Sequence, residues 1–327
     1  MCAAPTMRTC ARRVYIEHRC GLCNRMEMFV LALAISRAFG HEILLGWPEL
    51  DVLRVAGTRR GTPGLLGRCG ALRLRTCDSD GFRELAGRRS IILRGFGGPK
   101  KEMAAVHAEA ISKFSLKPAF AQLLAGVFRQ IGSRPVVGVH LRRGDFHQRS
   151  EEVYDLGDAL LSVVPLWWYE WVMRAIAKLQ PATCFLVCHN GGPETVSALK
   201  ANFDIVEVPI RNAYRQQPGH YSQNHPVADL FALACCPVVL ATPVSSFSHY
   251  AANVLGIQSA CLMPPARMSK LAPGIVRAHV HRRPLQHWVD ACRFGHHTER
   301  LTSSLSGVEL DQTAVTDWLL PGPVRGV

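Results

Sequence analysis

The sequence predicts an α/β protein of two domains, residues 1–132 and 133–327. Three observations carry this. The chain has 327 residues, about twice a common domain length. Its first third alternates strand, turn, helix and strand signals, an order that favours an α/β domain. Its second half repeats short apolar runs between helical segments, as buried parallel strands with helical crossovers do. With 48% hydrophobic and 19% charged residues, the chain can bury sizeable cores and is not mainly disordered. Its 27 glycines and 20 prolines exclude a collagen-like or linker-dominated chain.

Residues 14–17 form the first strand. The turn Arg19-Cys20-Gly21-Leu22-Cys23-Asn24 leads into a helix over 25–39, with Met28, Leu31, Ala32 and Ile35 available for one face. Gly40 stops that helix, and 42–45 resumes as a strand. Gly21 and Asn24 thus stand where backbone N–H groups or a side-chain amide could meet a ligand. A plain structural turn is equally compatible. Residues 57–70, rich in glycine and arginine, are expected as a loop, and Gly95-Phe96-Gly97-Gly98-Pro99 as a second break. Helical material over 104–126 is interrupted near Pro118. Gly132-Ser133-Arg134-Pro135 marks the domain boundary. Strands are then expected at 136–141, 184–188, 205–208 and 238–241, and helices at 167–179, 194–202, 227–235 and 248–255. Ligands of such sheets bind beyond the strand C-termini.

Arginine supplies 31 of the 38 positive residues, and the net charge is +13. Guanidinium groups form bidentate pairs with phosphate, which suits a phosphorylated small molecule as well as a polymer. No basic arm, zinc finger or repeated Arg/Lys stripe is present, so nucleic acid is not the expected partner. Cys20 and Cys23 make a CxxC among twelve cysteines, but no second CxxC follows. His296 and His297 lack a compact ligand set, so no metal site is expected. The N-terminus lacks the apolar stretch of a signal peptide, and the strongest apolar runs, 29–35 and 160–168, fall short of the roughly 20 residues that span a bilayer. The expectation is a cytoplasmic protein with no transmembrane segment and with thiols buried in a reducing compartment. Peripheral membrane contact through Trp167, Trp168 and Trp171 stays open, as does their packing in a core or ligand wall.

The chemistry concentrates in Val136-Val137-Gly138-Val139-His140-Leu141-Arg142-Arg143-Gly144-Asp145. A buried strand runs directly into charge, and an unpaired charge beside a buried strand is costly. A pyrophosphate would explain it: Arg143 can bind phosphate oxygens while Arg142, alternating in direction along the strand, braces the site. Asp145 could pair with either arginine or orient a substrate hydroxyl. The bland alternative is a surface turn closed by an Arg142–Asp145 ion pair. A second signature follows, with Asp229 near a helix start and Thr242-Pro243-Val244-Ser245-Ser246-Phe247-Ser248 after a strand. Ser245 and Ser246 precede a helix and can direct hydroxyl and N–H groups at an anion. Phe247 can cover a base or close the core. Asp229 can cap its helix or accept hydrogen bonds from a guanine edge. No G-x-G-x-x-G or Walker A segment occurs, which disfavours dinucleotide dehydrogenases and P-loop NTPases.

The segments His140-x-Arg142-Arg143-Gly144-Asp145 and Asp229…Ser245-Ser246-Phe247-Ser248, with the early Gly21-Leu22-Cys23-Asn24-Arg25-Met26 turn, resemble bacterial alpha-1,2-fucosyltransferases within the GDP-fucose-dependent glycosyltransferase superfamily. The resemblance runs from about residue 15 to 255. It implies a GT-B-like architecture of two Rossmann-like domains, with an acceptor-side first domain. The second domain would hold the nucleotide sugar, and its C-terminal segment can pack back on the first. It implies inverting, metal-independent transfer of fucose to a glycan hydroxyl, with alpha-1,2 linkage to galactose as one form, the motifs being less specific for linkage than for the superfamily. GDP-fucose is then the donor substrate and a glycan the acceptor, with no cofactor. Arg143 would neutralise the pyrophosphate. Gly21, Asn24, His140, Arg142, Asp229, Ser245, Ser246, Phe247 and Ser248 would complete the donor site. Asp145, His147 and Glu17 are candidates for the base. Where the family has an acidic Ser-Asp-Asp-like segment, this chain has Cys188-His189-Asn190, which could retain hydrogen bonding with a different charge. The alternatives are another nucleotide-sugar transferase or a noncatalytic nucleotide-sugar or glycan-binding protein.

Overall fold

The first sheet starts with β1 (Arg13–Glu17), whose Val14 and Ile16 are buried. Helix α1 (Leu22–Phe39) follows and is apolar on most of its circumference, because it packs against both its own sheet and a neighbouring helix. It begins three residues before the expected start. Strand β2 (Glu42–Gly46) lies parallel to β1. The computed structural model describes residues 11–143, 154–155, 164–191, 193–211, 224–243, 245–255, 260–264, 267–271, 273–278 and 298–299.

The expected loop at 57–70 is not wholly irregular. After β3 (Leu53–Val55), it contributes the edge strand β4 (Arg59–Arg60) and the short helix α2 (Leu65–Cys69). Then come β5 (Leu72–Thr76), α3 (Ser79–Glu84) and β6 (Ser90–Gly97). The expected break at 95–99 in fact begins inside β6. At Gly95 a side chain would meet the Arg75 carbonyl oxygen at 2.3 Å, so glycine there reflects close strand contact rather than a turn. Helix α4 (Lys100–Ser112) and β7 (Phe114–Leu116) complete this unit. Its five strands are ordered β4-β2-β1-β6-β5, all parallel, so their C-terminal ends share one edge.

The chain divides into two units, Met1–Lys117 and Pro118–Val327. Helix α5 (Pro118–Ile131), which the sequence assigns to the first domain, goes with the second unit. Proline opens it at a position where no intrahelical donor is needed. Its Phe120, Leu124, Val127, Phe128 and Ile131 are buried.

The second sheet is built on β8 (Val136–Leu141), buried at every position. The short β9 (Tyr154–Asp155) precedes α6 (Leu166–Leu179), β10 (Cys184–His189), α7 (Pro193–Lys200) and β11 (Ile205–Val206). Next come α8 (Pro226–Ala234), β12 (Val238–Leu240) and α9 (Ser246–His249). The wider π-turn Tyr250–Leu255 carries α9 onward, so the helix expected over 248–255 is in two geometries. Strands β13 (Ala260–Met263), β14 (Arg267–Met268), β15 (Ile275–Ala278) and β16 (Thr298–Glu299) follow. The sheet order is β11-β10-β8-β12-β13-β15-β16, parallel through β13 and antiparallel beyond. The antiparallel edge was not legible in the sequence.

Gly138 makes the central contact possible. A side chain there would meet Leu233 Cδ2 at 2.9 Å and Cys236 at 3.2 Å. Its absence lets the end of α8 lie against β8, as close backbone approach in a strand requires. That packing brings Asp229 to the same sheet: Cys188 pairs with His140 across the β8–β10 ladder, and its Sγ lies 3.7 Å from the Asp229 carbonyl oxygen. Among the described residues, no helix is long and apolar enough to cross a membrane.

Candidate anion site at the end of the central strand

In the second unit, β8 leaves the sheet at Leu141, and two polar clasps hold the residues that follow. Asn190, just beyond β10, accepts a hydrogen bond from the Arg143 backbone N–H at 2.6 Å, while its own N–H bonds the Leu141 carbonyl at 3.2 Å. Asn190, expected from the sequence to be able to keep a hydrogen-bonding role, does so. On the other side, the Thr242 hydroxyl donates to the His140 carbonyl at 2.8 Å and accepts from the Arg142 N–H at 3.3 Å. Tyr169 of α6 donates to the same His140 carbonyl at 3.1 Å. Burial pushes its phenol proton affinity well up, with Thr242 and the nearby Arg143 charge opposing. Tyr169 is thus a neutral strut.

The Ser245–Ser248 segment joins this cluster. Ser248 Oγ lies 2.5 Å from His140 Nδ1 and accepts from the Thr242 N–H at 3.3 Å. Phe247 stacks on the His140 ring at 5.1 Å. Arg142 donates to Ser245 Oγ at 3.4 Å. The structure therefore brings His140, Arg142, Ser245, Phe247 and Ser248 together. Ser248 is fully buried and its hydroxyl is spent on His140 and Thr242. Ser246 is half-buried in the first turn of α9.

Arg143 differs from Arg142. Its Cβ lies 3.5 Å from where a Gly191 side chain would begin, and its Nη1 is buried with no hydrogen-bond acceptor among the described residues. Asp229 is the second such group. It is 4% exposed, and its Oδ1 has no hydrogen-bond partner among the described residues. Burial raises its carboxyl to about 8, with the Cys188 and Asn224 hydrogen bonds pulling the other way. Near neutral pH it is mostly protonated. Neighbouring Cys188 is likewise pushed well up by burial, and Cys184 and Cys235 rise to about 11 and 12 for the same reason. These are protonated, unreactive thiols.

In the first unit, Gly21 caps α1 and Asn24 is half-buried in its first turn. The loop before them is pinned by the next residue of the same motif segment. Arg25, 1% exposed, grips Glu49 through two bonds of 2.8 and 2.6 Å and donates to the Cys20 carbonyl at 2.9 Å. Burial alone would raise the Glu49 carboxyl, but the Arg25 hydrogen bonds and charge outweigh it and hold it below the usual range. Glu17 ends β1 with both carboxylate oxygens taken by arginines. Asp145, His147, Gly144 and Val244 lie outside the described residues. A cavity of about 560 Å³ beside β5 and α3, lined by Leu74, Asp78 and Arg88, contains none of the predicted site residues. Among the described residues no group of three His, Cys, Asp or Glu side chains could hold a metal ion.

Thr242 and Asn190 stand in segments that the sequence singled out, but their support of the β8 end, like that of Tyr169, was not read there. Their common signal is position: a polar residue ending or facing a buried parallel strand must bond to something.

The fold is similar to that of solved fucosyltransferases. Fucosyltransferase NodZ from Bradyrhizobium matches over 83% of this chain and 99% of its own, at 14% identity and a TM-score of 0.51. NodZ alpha-1,6-fucosyltransferase soaked with GDP-fucose matches over 83% and 100%, at 15% identity and 0.50. FUT1 of Arabidopsis thaliana, in complex with GDP, matches over 84% and 75%, at 10% identity and 0.50. At these identities the likeness establishes the fold, a GT-B-like pair of Rossmann-like units. No protein-family model and no curated protein matches the sequence.

Proposed function

We propose that the protein transfers fucose from GDP-fucose to a glycan hydroxyl, with inversion at the anomeric carbon and without a metal or other cofactor. The observation that carries the reading is the Arg143 Nη1 atom, buried just beyond the end of a central parallel strand with no acceptor among the described residues. Burying a guanidinium donor without a partner is unfavourable, and a diphosphate oxygen would satisfy it. Asp229 supports the same reading, because its Oδ1, without a partner among the described residues, matches the N–H donors of a guanine edge.

The chemistry then follows from charge. As the bond from fucose to the diphosphate breaks, negative charge grows on GDP and Arg143 stabilises it. Stabilisation that grows with bond breaking lowers the barrier, whereas equal binding of the ground state would not. Arg142, held by Ser245 and Thr242, positions the loop that carries Arg143. The fucose carbon becomes oxocarbenium-like while an acceptor hydroxyl approaches its opposite face. Asp145 and His147 are our candidates to accept the hydroxyl proton. Glu17 is better described as a charge hub, since guanidinium groups already occupy both its oxygens. From the first unit, Gly21 and Asn24 are assigned to the donor by the motif resemblance.

The test is turnover: GDP-fucose with a panel of galactosyl acceptors, and products identified by mass and linkage. A fucosylated product is expected, alpha-1,2-linked to galactose if the motif resemblance extends to linkage, and Arg143→Ala should abolish it while the protein stays folded. Transfer of a different sugar from another nucleotide would reassign the donor. Nucleotide-sugar binding with no product from any acceptor would make this a binding protein.

A further inference from the structure

At the C-terminal edge of the first sheet, three arginines converge on one carboxylate. Glu17 Oε2 lies 3.1 Å from Arg19 Nε and 3.2 Å from Arg94 Nη1, and Oε1 lies 2.8 Å from Arg68 Nη2. They come from three places: the loop after β1, helix α2 and strand β6. Glu17 is nearly buried, whereas the Arg19 and Arg68 side chains are 57% and 44% exposed. Each guanidinium brings five donors, and a single carboxylate has about four lone-pair sites. Donors are therefore left over, with two positive charges in excess.

The surplus is visible in Arg94. Its Nη1 is close to Glu17 but makes no hydrogen bond to it, and it is buried with no hydrogen-bond acceptor among the described residues. Burial lowers its proton affinity, and the Arg19, Arg73 and Arg68 charges lower it further against the pull of Glu17. The cluster gathers like charges at the sheet edge where α/β units receive ligands.

We propose that the Arg19–Arg68–Arg94 cluster binds an oxyanion carried by the acceptor, so that the substrate is an acidic glycan bearing a carboxylate, sulfate or phosphate group. This rests on the reading that the first unit receives the acceptor. Glu17 orders the three guanidinium groups, and the incoming anion takes the donors that Glu17 leaves over. Anion binding by several arginines at once is multidentate, so it distinguishes an acidic sugar from its neutral parent.

The experiment is calorimetric titration of the full chain carrying Arg143→Ala, which removes the proposed phosphate site of the second unit. The probes are galacturonate, galactose 6-sulfate, galactose 6-phosphate and neutral galactose. At least one acidic sugar should bind, at least tenfold more tightly than galactose, and weaken as salt is raised. The preferred probe identifies the anion. Adding Arg19→Gln and Arg68→Gln, both at exposed side chains, should lower that affinity at least tenfold. Arg19→Gln alone, with a smaller loss in the same direction, serves if the combined variant does not fold. Equal affinity for acidic and neutral sugars, or acidic binding unaffected by these variants, overturns the proposal. Failure here leaves fucosyl transfer to a neutral glycan intact. Acidic binding that disappears with the arginines stands even if GDP-fucose proves not to be the donor.

Discussion

Replacing Asp229 by asparagine tests the burial of this carboxyl directly. Burial lifts it to about 8 from an ordinary 3.8. Between those values the folded protein keeps the proton and the unfolded chain releases it, so rising pH favours unfolding. The stability that the protonated form contributes is full below about pH 4 and is lost as the pH rises through about 8. Within that window each pH unit weakens the fold by about 1.4 kcal/mol. From pH 5 to pH 7 the loss is on the order of 3 kcal/mol, or roughly 6–12 °C for a domain of this size. Asparagine has nearly the same shape and does not titrate. Melting curves of wild type and Asp229→Asn at pH 5, 6 and 7 should therefore diverge, the variant gaining progressively on the wild type. Parallel profiles would refute the buried, protonated carboxyl and the reasoning built on it.

If a guanine edge then binds Asp229 in its ionised form, GDP binding near pH 7 should release close to one proton from the protein in wild type and none from Asp229→Asn. Calorimetry in buffers of different ionisation heat measures this. Gly138→Ala should cost about 1–3 kcal/mol, because the new methyl meets Leu233 and Cys236; denaturant unfolding reads it. Glu49→Gln leaves the buried Arg25 charge without its carboxylate and should cost about 3–5 kcal/mol. Hydrogen exchange should show the loop before α1 opening more in that variant.

The second sheet was largely legible in the sequence. Strands such as Val136–Leu141 are continuous apolar runs, and burial on both faces leaves that mark. The first sheet was read only at β1 and β2. β5 carries exposed arginines that break the apolar run, and β6 contains two glycines that look like a turn until the Arg75 backbone is seen against Gly95. At the anion site, motif spacing identified Arg142, Arg143, Asp229 and Ser245, whose polarity conflicts with their buried neighbours. Thr242 and Asn190 were also in the segments it singled out, but their clasping of the β8 end depends on β12 and β10 flanking β8, a pairing that local sequence does not encode. The Glu17 cluster was invisible for the same reason: its arginines are far apart along the chain and meet only at the sheet edge.

The central claim is that Arg143 grips a nucleotide diphosphate. Titration of GDP into wild type and into folded Arg143→Ala tests it most directly. Loss of charge-assisted hydrogen bonds worth about 1.5–3 kcal/mol should weaken GDP binding roughly 10–100-fold, with GMP, one phosphate shorter, affected much less. Equal GDP affinity in the two proteins would contradict it.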